Sequence, residues 1–128
     1  MKYLPSAALL IAGLIHLLPI PGVMGVPALF RLYGIEISDP NIAILLQHRA
    51  LMFAILGVIM LTAIRLEFLQ IIALSTGLVS TTSFIGVAAW VGHYNHAIQR
   101  VVIADIVASI ALTVGLVAAV WLRRQASP

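Results

Sequence analysis

Residues 91–100 read VGHYNHAIQR and separate two long apolar runs, 68–91 and 101–122. Each run is long enough to cross a membrane as a helix, because about 20 apolar residues span roughly 30 Å of hydrocarbon. Two such runs joined by one short polar stretch predict a pair of antiparallel membrane helices. The polar stretch also gathers two histidines and an arginine in a chain that otherwise contains few such residues.

The composition of the whole chain favours lipid as its solvent. Of the 128 residues, 62% are hydrophobic and 9% are charged, whereas soluble domains carry about 25% charged residues. The formal charge of +3 comes mainly from basic residues at the ends of apolar runs. Such flanking charges are typical of membrane helices. Because the basic residues form no cluster interleaved with aromatic residues, we expect no nucleic-acid partner. Because the chain has no cysteine, disulfides, thiolate metal sites and iron–sulfur clusters are also excluded.

Two further apolar runs precede this pair, so the predicted spans are 4–26, 42–64, 68–91 and 101–122. None of them alternates with period two, and backbone groups in lipid must then be satisfied within helices. The sequence predicts an all-α fold, with residues 1–128 forming one transmembrane domain that is an up-and-down four-helix bundle. Lys2 followed by an apolar run resembles a signal peptide, but no A-x-A motif follows. We therefore expect the first run to be retained as a helix.

The connection between the first two spans has structure of its own. Pro19 and Pro21 lack a backbone N–H, which predicts a kink near the end of the first helix. The segment VPALFRLY, residues 26–33, is typical of a short helix at the membrane interface. Residues 38–41, SDPN, form a helix-start signal in which Ser38 or Asp39 caps the second span.

Basic residues near the ends of the spans predict the orientation. One end collects Lys2, Arg65, Arg123 and Arg124, and the other collects Arg31, Arg49 and Arg100. The positive-inside rule then favours cytoplasmic positions for both termini.

The polar residues of the spans converge on the end opposite the termini. His48 and Arg49 lie near the start of the second span, and Asp105 lies about one turn into the fourth. His16 lies about 12 residues into the first span, or about 18 Å along the helix. Ionisable residues at this depth face the bundle interior or a water-filled cavity by default. We expect Arg49 to pair with Asp105, so that Asp105→Asn weakens the bundle.

The histidines leave two interpretations open. His16, His93 and His96 form a candidate metal site, with Asp105 as an additional ligand, because imidazole and carboxylate suit several transition metals. His93 and His96 can instead simply bond water at the interface, and their spacing matches no metal motif. A buried His16 needs a hydrogen-bond partner, such as a carbonyl freed by the proline kink or a carboxylate across the bundle.

Small and hydroxyl side chains predict where helices approach closely. On the third span, Thr76, Ser80 and Ser83 share one face, and helix packing is their expected role. The fourth span carries a stripe of small residues that lets another helix approach, either within the bundle or from a second protomer or membrane complex. This stripe comprises Ala104, Ala108, Ala111, Gly115 and Ala119.

Three segments resemble a family of small bacterial four-helix membrane proteins: ILLQHRALMFAILG (44–57), GHYN (92–95) and RVVIADIV (100–107). Some members carry the label phosphopantetheine adenylyltransferase. The architecture is also similar, more loosely, to the DoxX-like small membrane proteins, which have suggested redox or quinone-linked roles. The resemblance implies a location in the bacterial inner membrane. It also implies that the shared motif contains His48, Arg49, His93, Tyr94, Asn95, Arg100 and Asp105.

The polar cluster favours a binding or accessory membrane protein whose pocket holds a lipid headgroup, a quinone or another small amphiphile. In this interpretation Arg49 and Arg100 hold an oxygen of the ligand, and His48 and His93 donate hydrogen bonds. A metal- or redox-dependent membrane enzyme is the first alternative, with a metal ion as its cofactor. A structural subunit of a larger membrane complex, joined through the small-residue stripe, is the second.

Overall fold

The structure, a computed structural model, describes residues 1–126 and shows only helices within them. The elements in chain order are α1 (Leu4–Leu17), a 3₁₀ segment (Ile20–Met24), α2 (Val26–Tyr33), α3 (Pro40–Ala63), a second 3₁₀ segment (Glu67–Leu69), α4 (Gln70–Val91) and α5 (His96–Ala126). Four segments are long and apolar enough to cross a membrane: Leu4–Met24, Pro40–Ala63, Glu67–Val91 and His96–Gln125. The all-α prediction is confirmed, and the chain has the make-up of a multi-pass membrane protein.

The first span does not continue as one kinked α-helix. α1 ends at Leu17, and the next N–H, that of Leu18, bonds to the Ile15 carbonyl at 3.2 Å in a tighter turn. Pro19 and Pro21 have no N–H to extend the α-helical pattern. The helix therefore changes to the 3₁₀ segment at the prolines, where the sequence predicted a kink.

α2 forms at the predicted residues between two glycines in unusual conformations. Gly25 has φ 116° and Gly34 has φ 64°, which are backbone angles that residues with a Cβ rarely adopt. The helix buries Leu29 and Tyr33 against the bundle and leaves Phe30 exposed. Tyr33 is thereby directed inward from the last turn of α2.

Asx caps fix where two of the long helices begin. Asp39 accepts a hydrogen bond from the Asn41 N–H at 2.8 Å and caps α3, as the SDPN segment predicted. Asn95 accepts a hydrogen bond from the Ile98 N–H at 2.9 Å and caps α5 in the same way. Because of this cap, α5 begins at His96, earlier than the predicted start at residue 101.

The bundle is held by close approaches at small residues. Gly57 in α3 faces Gly13 in α1 so closely that an added Cβ would lie 2.9 Å from the Gly13 carbonyl oxygen. Likewise, a Cβ on Gly115 in α5 would lie 2.5 Å from the Cβ of Ala8 in α1. α1 packs against both α3 and α5, and α4 packs against α5, whereas α3 and α5 make few direct contacts.

The small-residue stripe of α5 is used inside the protein. Ala108 is fully buried, Ala119 is largely buried and Gly115 packs against α1 and α4. Of the two expected uses of this stripe, the structure shows the packing within the bundle, where its closest approaches are to other helices of the same chain. Contact with a second protomer or a larger complex stays a prediction.

The connections confirm the up-and-down topology. At one end, Asn95 before α5 donates to the carbonyl of Tyr33 in α2 at 2.8 Å. At the other end, Lys2, Glu67 and Arg123 line one groove, so the N-terminus, the α3–α4 connection and the end of α5 lie together. The polar residues predicted to converge are therefore at the end of the bundle opposite the termini.

Candidate ligand-binding pocket

A cavity of about 270 Å³ opens between α1, α2, α3 and α5, at the end of the bundle that holds α2. Its polar lining comprises His16, Tyr33, Arg49, Arg100 and Asp105. Its apolar lining includes Ile15, Leu18, Leu32, Phe53, Val101 and Ala104. The cavity lies where α3 and α5 fail to pack directly, and α1 and α2 close its sides.

Arg49 enters this cavity from α3 and is surrounded by aromatic rings. Its guanidinium carbon lies 5.5 Å from the ring centre of Tyr33, 4.8 Å from that of Phe53 and 5.0 Å from that of Phe84. It also donates a hydrogen bond to the Tyr33 hydroxyl at 3.1 Å. The ring faces attract the cation, by about 0.5–2 kcal/mol each depending on solvent exposure. This cage surrounds the charged group with apolar rings, and within residues 1–126 no carboxylate is bonded to it.

Asp105 projects into the same cavity from α5. Its side chain is 3% exposed, and its Oδ2 has no hydrogen-bond partner within the described part of the chain. The predicted Arg49–Asp105 ion pair is not formed. Arg49 instead donates to the Tyr33 hydroxyl, and both side chains line the same cavity. An unbonded buried carboxylate is costly, and it is rare in a protein interior without a functional reason.

His16 supports the cavity from α1. Its Nδ1–H donates to the Ala12 carbonyl at 2.8 Å, and its Nε2 lies 3.2 Å from the Ser80 hydroxyl of α4. In the neutral ring Nε2 accepts from Ser80, so both nitrogens are satisfied inside the protein. The partners of His16 are therefore the Ala12 carbonyl, one turn earlier in α1, and the Ser80 hydroxyl. They differ from the expected partners, which were a carbonyl freed by the prolines or a carboxylate across the bundle. The ring also stacks on Phe53, with centroids 5.3 Å apart, and so fixes one wall of the Arg49 cage.

The other predicted site residues lie at or outside the rim. Arg100 lines the cavity but is exposed. His48 is exposed, and it does not line the cavity because it neighbours Arg49 on α3 and points about 100° away around the helix. His93 and Tyr94 are exposed in the α4–α5 connection, where His93 has φ 49°.

Asn95 has a structural position beside the cavity. Its side-chain oxygen caps α5, and its side-chain nitrogen donates to the Tyr33 carbonyl. Tyr33 in turn accepts the Arg49 hydrogen bond. Asn95 therefore positions α2, and through it the aromatic cage, without lining the cavity.

The candidate metal ligands are not brought together. His16 is buried in α1. His93 is exposed in the α4–α5 connection, and His96 is exposed at the first residue of α5. Within residues 1–126, no group of three or more histidine or acidic side chains could hold a metal ion. His96 instead hydrogen-bonds Gln99 at 3.1 Å on the surface of α5.

Sequence reasoning missed most of the contribution of α4, although it expected Ser80 to act in helix packing. Phe84 completes the cage, Ser80 holds His16, and the buried Thr81 accepts a hydrogen bond from Ser109 of α5 at 2.7 Å. Arg49 and Phe53 stand four residues apart on one helix, a spacing that could have predicted their contact. Phe84 and Thr81 carried no comparable signal, because their roles depend on how α4 is rotated against its neighbours.

The arrangement combines an apolar cavity with a few fixed polar groups, which is the usual layout of a small-molecule site. The caged guanidinium offers N–H donors, and Asp105 offers an acceptor, at the closed end of the cavity. Comparisons of this chain with protein-family models, curated proteins and solved structures found no match.

Proposed function

We propose that this protein is a binding or accessory protein of the membrane that holds the head of a lipid, a quinone or another small amphiphile in the α1–α2–α3–α5 cavity. The observation that carries this proposal is the buried Asp105, whose Oδ2 is unbonded, in the wall of the same cavity as the caged Arg49. A ligand head that bonded both groups would relieve the cost of burying them.

The size and walls of the cavity support an amphiphile over a fully polar solute. A volume of about 270 Å³ is slightly below the usual range of ligand pockets, which is roughly 300–1,000 Å³. It has room for a head and the first carbons of a tail. The remaining tail would lie along the exposed apolar faces of the helices, such as that of Leu18 at the rim.

We extend the proposal to location and kinship. Arg65, Arg123, Arg124 and Lys2 belong to the end that holds the termini, which favours cytoplasmic termini and a cavity opening on the other side of the bacterial inner membrane. The resemblance of the His48–Arg49, GHYN and Asp105 segments to a family of small bacterial four-helix membrane proteins is part of the same proposal, as is the looser similarity of the architecture to DoxX-like proteins.

The proposal is tested by filling the cavity. Ala104 lines it from α5, so Ala104→Phe should occupy it, whereas Val107→Phe places the same benzyl side chain on an exposed face of the same helix. Thermal unfolding in detergent is followed with dodecanoic acid, dodecanamide and dodecylamine, which share one tail and differ in their heads. We expect at least one of them to raise the Tm of the wild type and of Val107→Phe by several degrees, since a ligand that binds only the folded state stabilises it.

Ala104→Phe should show no such shift and should unfold at the wild-type temperature or above without ligand. The proposal is overturned if none of the three amphiphiles stabilises the wild type. It is equally overturned if they stabilise Ala104→Phe as much, which would indicate a general effect on the micelle.

A further inference from the structure

We infer that the preferred ligand has an uncharged head that carries a hydrogen-bond donor beside an acceptor, and that Asp105 is the residue that selects the donor. This inference rests on the proposed binding function and adds the chemical class of the ligand. It follows from the charges and bonding capacity at the closed end of the cavity.

The closed end is balanced in charge. Arg49 and Asp105 bring one charge of each sign to it, and no other charged side chain lines that part of the cavity. The remaining charged group, Arg100, is exposed at the rim. A carboxylate or phosphate placed between Arg49 and Asp105 would gain one attraction and meet one repulsion at similar depth, and it would lose its hydration. An uncharged head avoids that cost.

The bonding capacities of the two groups are complementary. A charged carboxylate only accepts hydrogen bonds, and Asp105 Oδ2 has no donor within residues 1–126. A guanidinium only donates, and Arg49 directs one of its N–H groups to the Tyr33 hydroxyl, which leaves the others for a ligand acceptor. A primary amide, or a hydroxyl beside a carbonyl, supplies one donor and one acceptor to match. His16 adds neither, because Ala12 and Ser80 use both of its nitrogens.

The experiment compares heads on a constant tail. Dissociation constants for dodecanamide, methyl dodecanoate and dodecanoate are measured from Tm shifts at matched mole fractions in the micelle. Because the three compounds share one hydrocarbon tail, differences between their dissociation constants report on the heads. We expect dodecanamide to bind about ten-fold more tightly than methyl dodecanoate, which has an acceptor but no donor and would leave Asp105 unbonded. Dodecanoate should bind less tightly than dodecanamide.

Asp105→Asn tests the role of the residue. The asparagine amide can donate as well as accept, so the variant should bind the ester and the amide within about three-fold of each other. Asp39→Asn, at the exposed cap of α3, is the matched control and should keep the wild-type preference.

The outcomes separate this inference from the proposed function. If dodecanoate binds best and Ala104→Phe abolishes that binding, the cavity binds amphiphiles and the inference is overturned, because its closed end then acts as a positive site. Equal binding of the three heads, or an unchanged preference in Asp105→Asn, also overturns it. If none of the heads binds, the proposed function itself fails.

Discussion

Asp105 is the residue whose surroundings most restrict what this protein can do. It is buried and its Oδ2 is unbonded, while the Arg49 guanidinium in the same cavity bonds to the Tyr33 hydroxyl and lies against the rings of Tyr33, Phe53 and Phe84. A protein that used Asp105 only to hold the bundle together would be expected to bond it to that guanidinium. Its arrangement favours recognition over stability.

Replacing Asp105 by asparagine should therefore not destabilise the protein. Asparagine has nearly the same shape but no charge to desolvate, so we expect an increase in the free energy of unfolding on the order of 1 kcal/mol. Thermal unfolding in ligand-free detergent measures this change. Asp39→Asn is the control, and its stability should stay close to that of the wild type, because aspartate and asparagine both cap a helix well. A clear loss of stability in Asp105→Asn would instead indicate that the Arg49–Asp105 pair predicted from sequence holds the bundle together.

At this scale the sequence predicted part of the cavity. Arg49, Arg100, Asp105 and His16 were expected to converge, because charged residues within apolar helices must face inward. His48 was expected to join them and does not, since adjacent residues on a helix point in different directions. Phe84 could not be predicted, because an aromatic residue in an apolar span fits lipid as well as a cage.

At the scale of helices, α1 serves as the central support and contacts α3 and α5 through glycine and alanine. Its last residues carry the cavity wall, and the change to 3₁₀ at the prolines turns the chain towards α2. The spans were predictable from hydropathy to within a few residues, except at α5. Its start was missed because a single side chain, Asn95, caps the helix at His96.

The α1–α3 approach predicts a sharp contrast between two glycines. Gly57→Ala would place a Cβ 2.9 Å from the Gly13 carbonyl oxygen, whereas a Cβ at Gly86 in α4 would meet nothing within 4 Å. We expect Gly57→Ala to lower the free energy of unfolding by about 1–3 kcal/mol, and Gly86→Ala to raise it by about 0.5–1 kcal/mol through the helix preference of alanine. Thermal unfolding of the two variants checks this, and equal effects would contradict the close approach.

Asn95 predicts two separable effects at the start of α5. Asn95→Asp keeps the capping oxygen but removes the donor to the Tyr33 carbonyl, and Asn95→Ala removes both. Asn95→Ala should cost about 1 kcal/mol of stability from the cap alone. Asn95→Asp should cost less but, by loosening α2, should weaken binding of dodecanamide. If Asn95→Asp binds as the wild type does, α2 is positioned by other contacts.

At the scale of the whole molecule, the polar residues are asymmetric across the membrane. The cavity, α2 and the α4–α5 connection lie at one end, and the termini lie at the other. The middle of the bundle is packed with apolar residues such as Leu9, Met60, Leu74 and Leu112, all fully buried. The cavity therefore opens at the end of the bundle that holds α2, and these packed residues lie between it and the end that holds the termini.

The orientation can be tested with single cysteines, because the chain has none of its own. Glu36 lies just after α2 and Glu67 lies in the α3–α4 connection, and both residues are exposed. Each is replaced in turn, as Glu36→Cys and Glu67→Cys. With the termini in the cytoplasm, a membrane-impermeant maleimide should label the cysteine at 36 in intact spheroplasts and the one at 67 only after lysis. The reverse pattern would place the cavity on the cytoplasmic side.

The most direct measurement is native mass spectrometry of the protein released from mild detergent after purification from its membrane. We predict one small amphiphile bound per wild-type chain and per Val107→Phe chain, and none bound to Ala104→Phe. Fragmentation of the released molecule should identify a neutral head with a donor and an acceptor. Wild-type chains free of bound amphiphile under conditions that preserve ordinary lipid adducts would contradict the proposal, as would an amphiphile retained by Ala104→Phe.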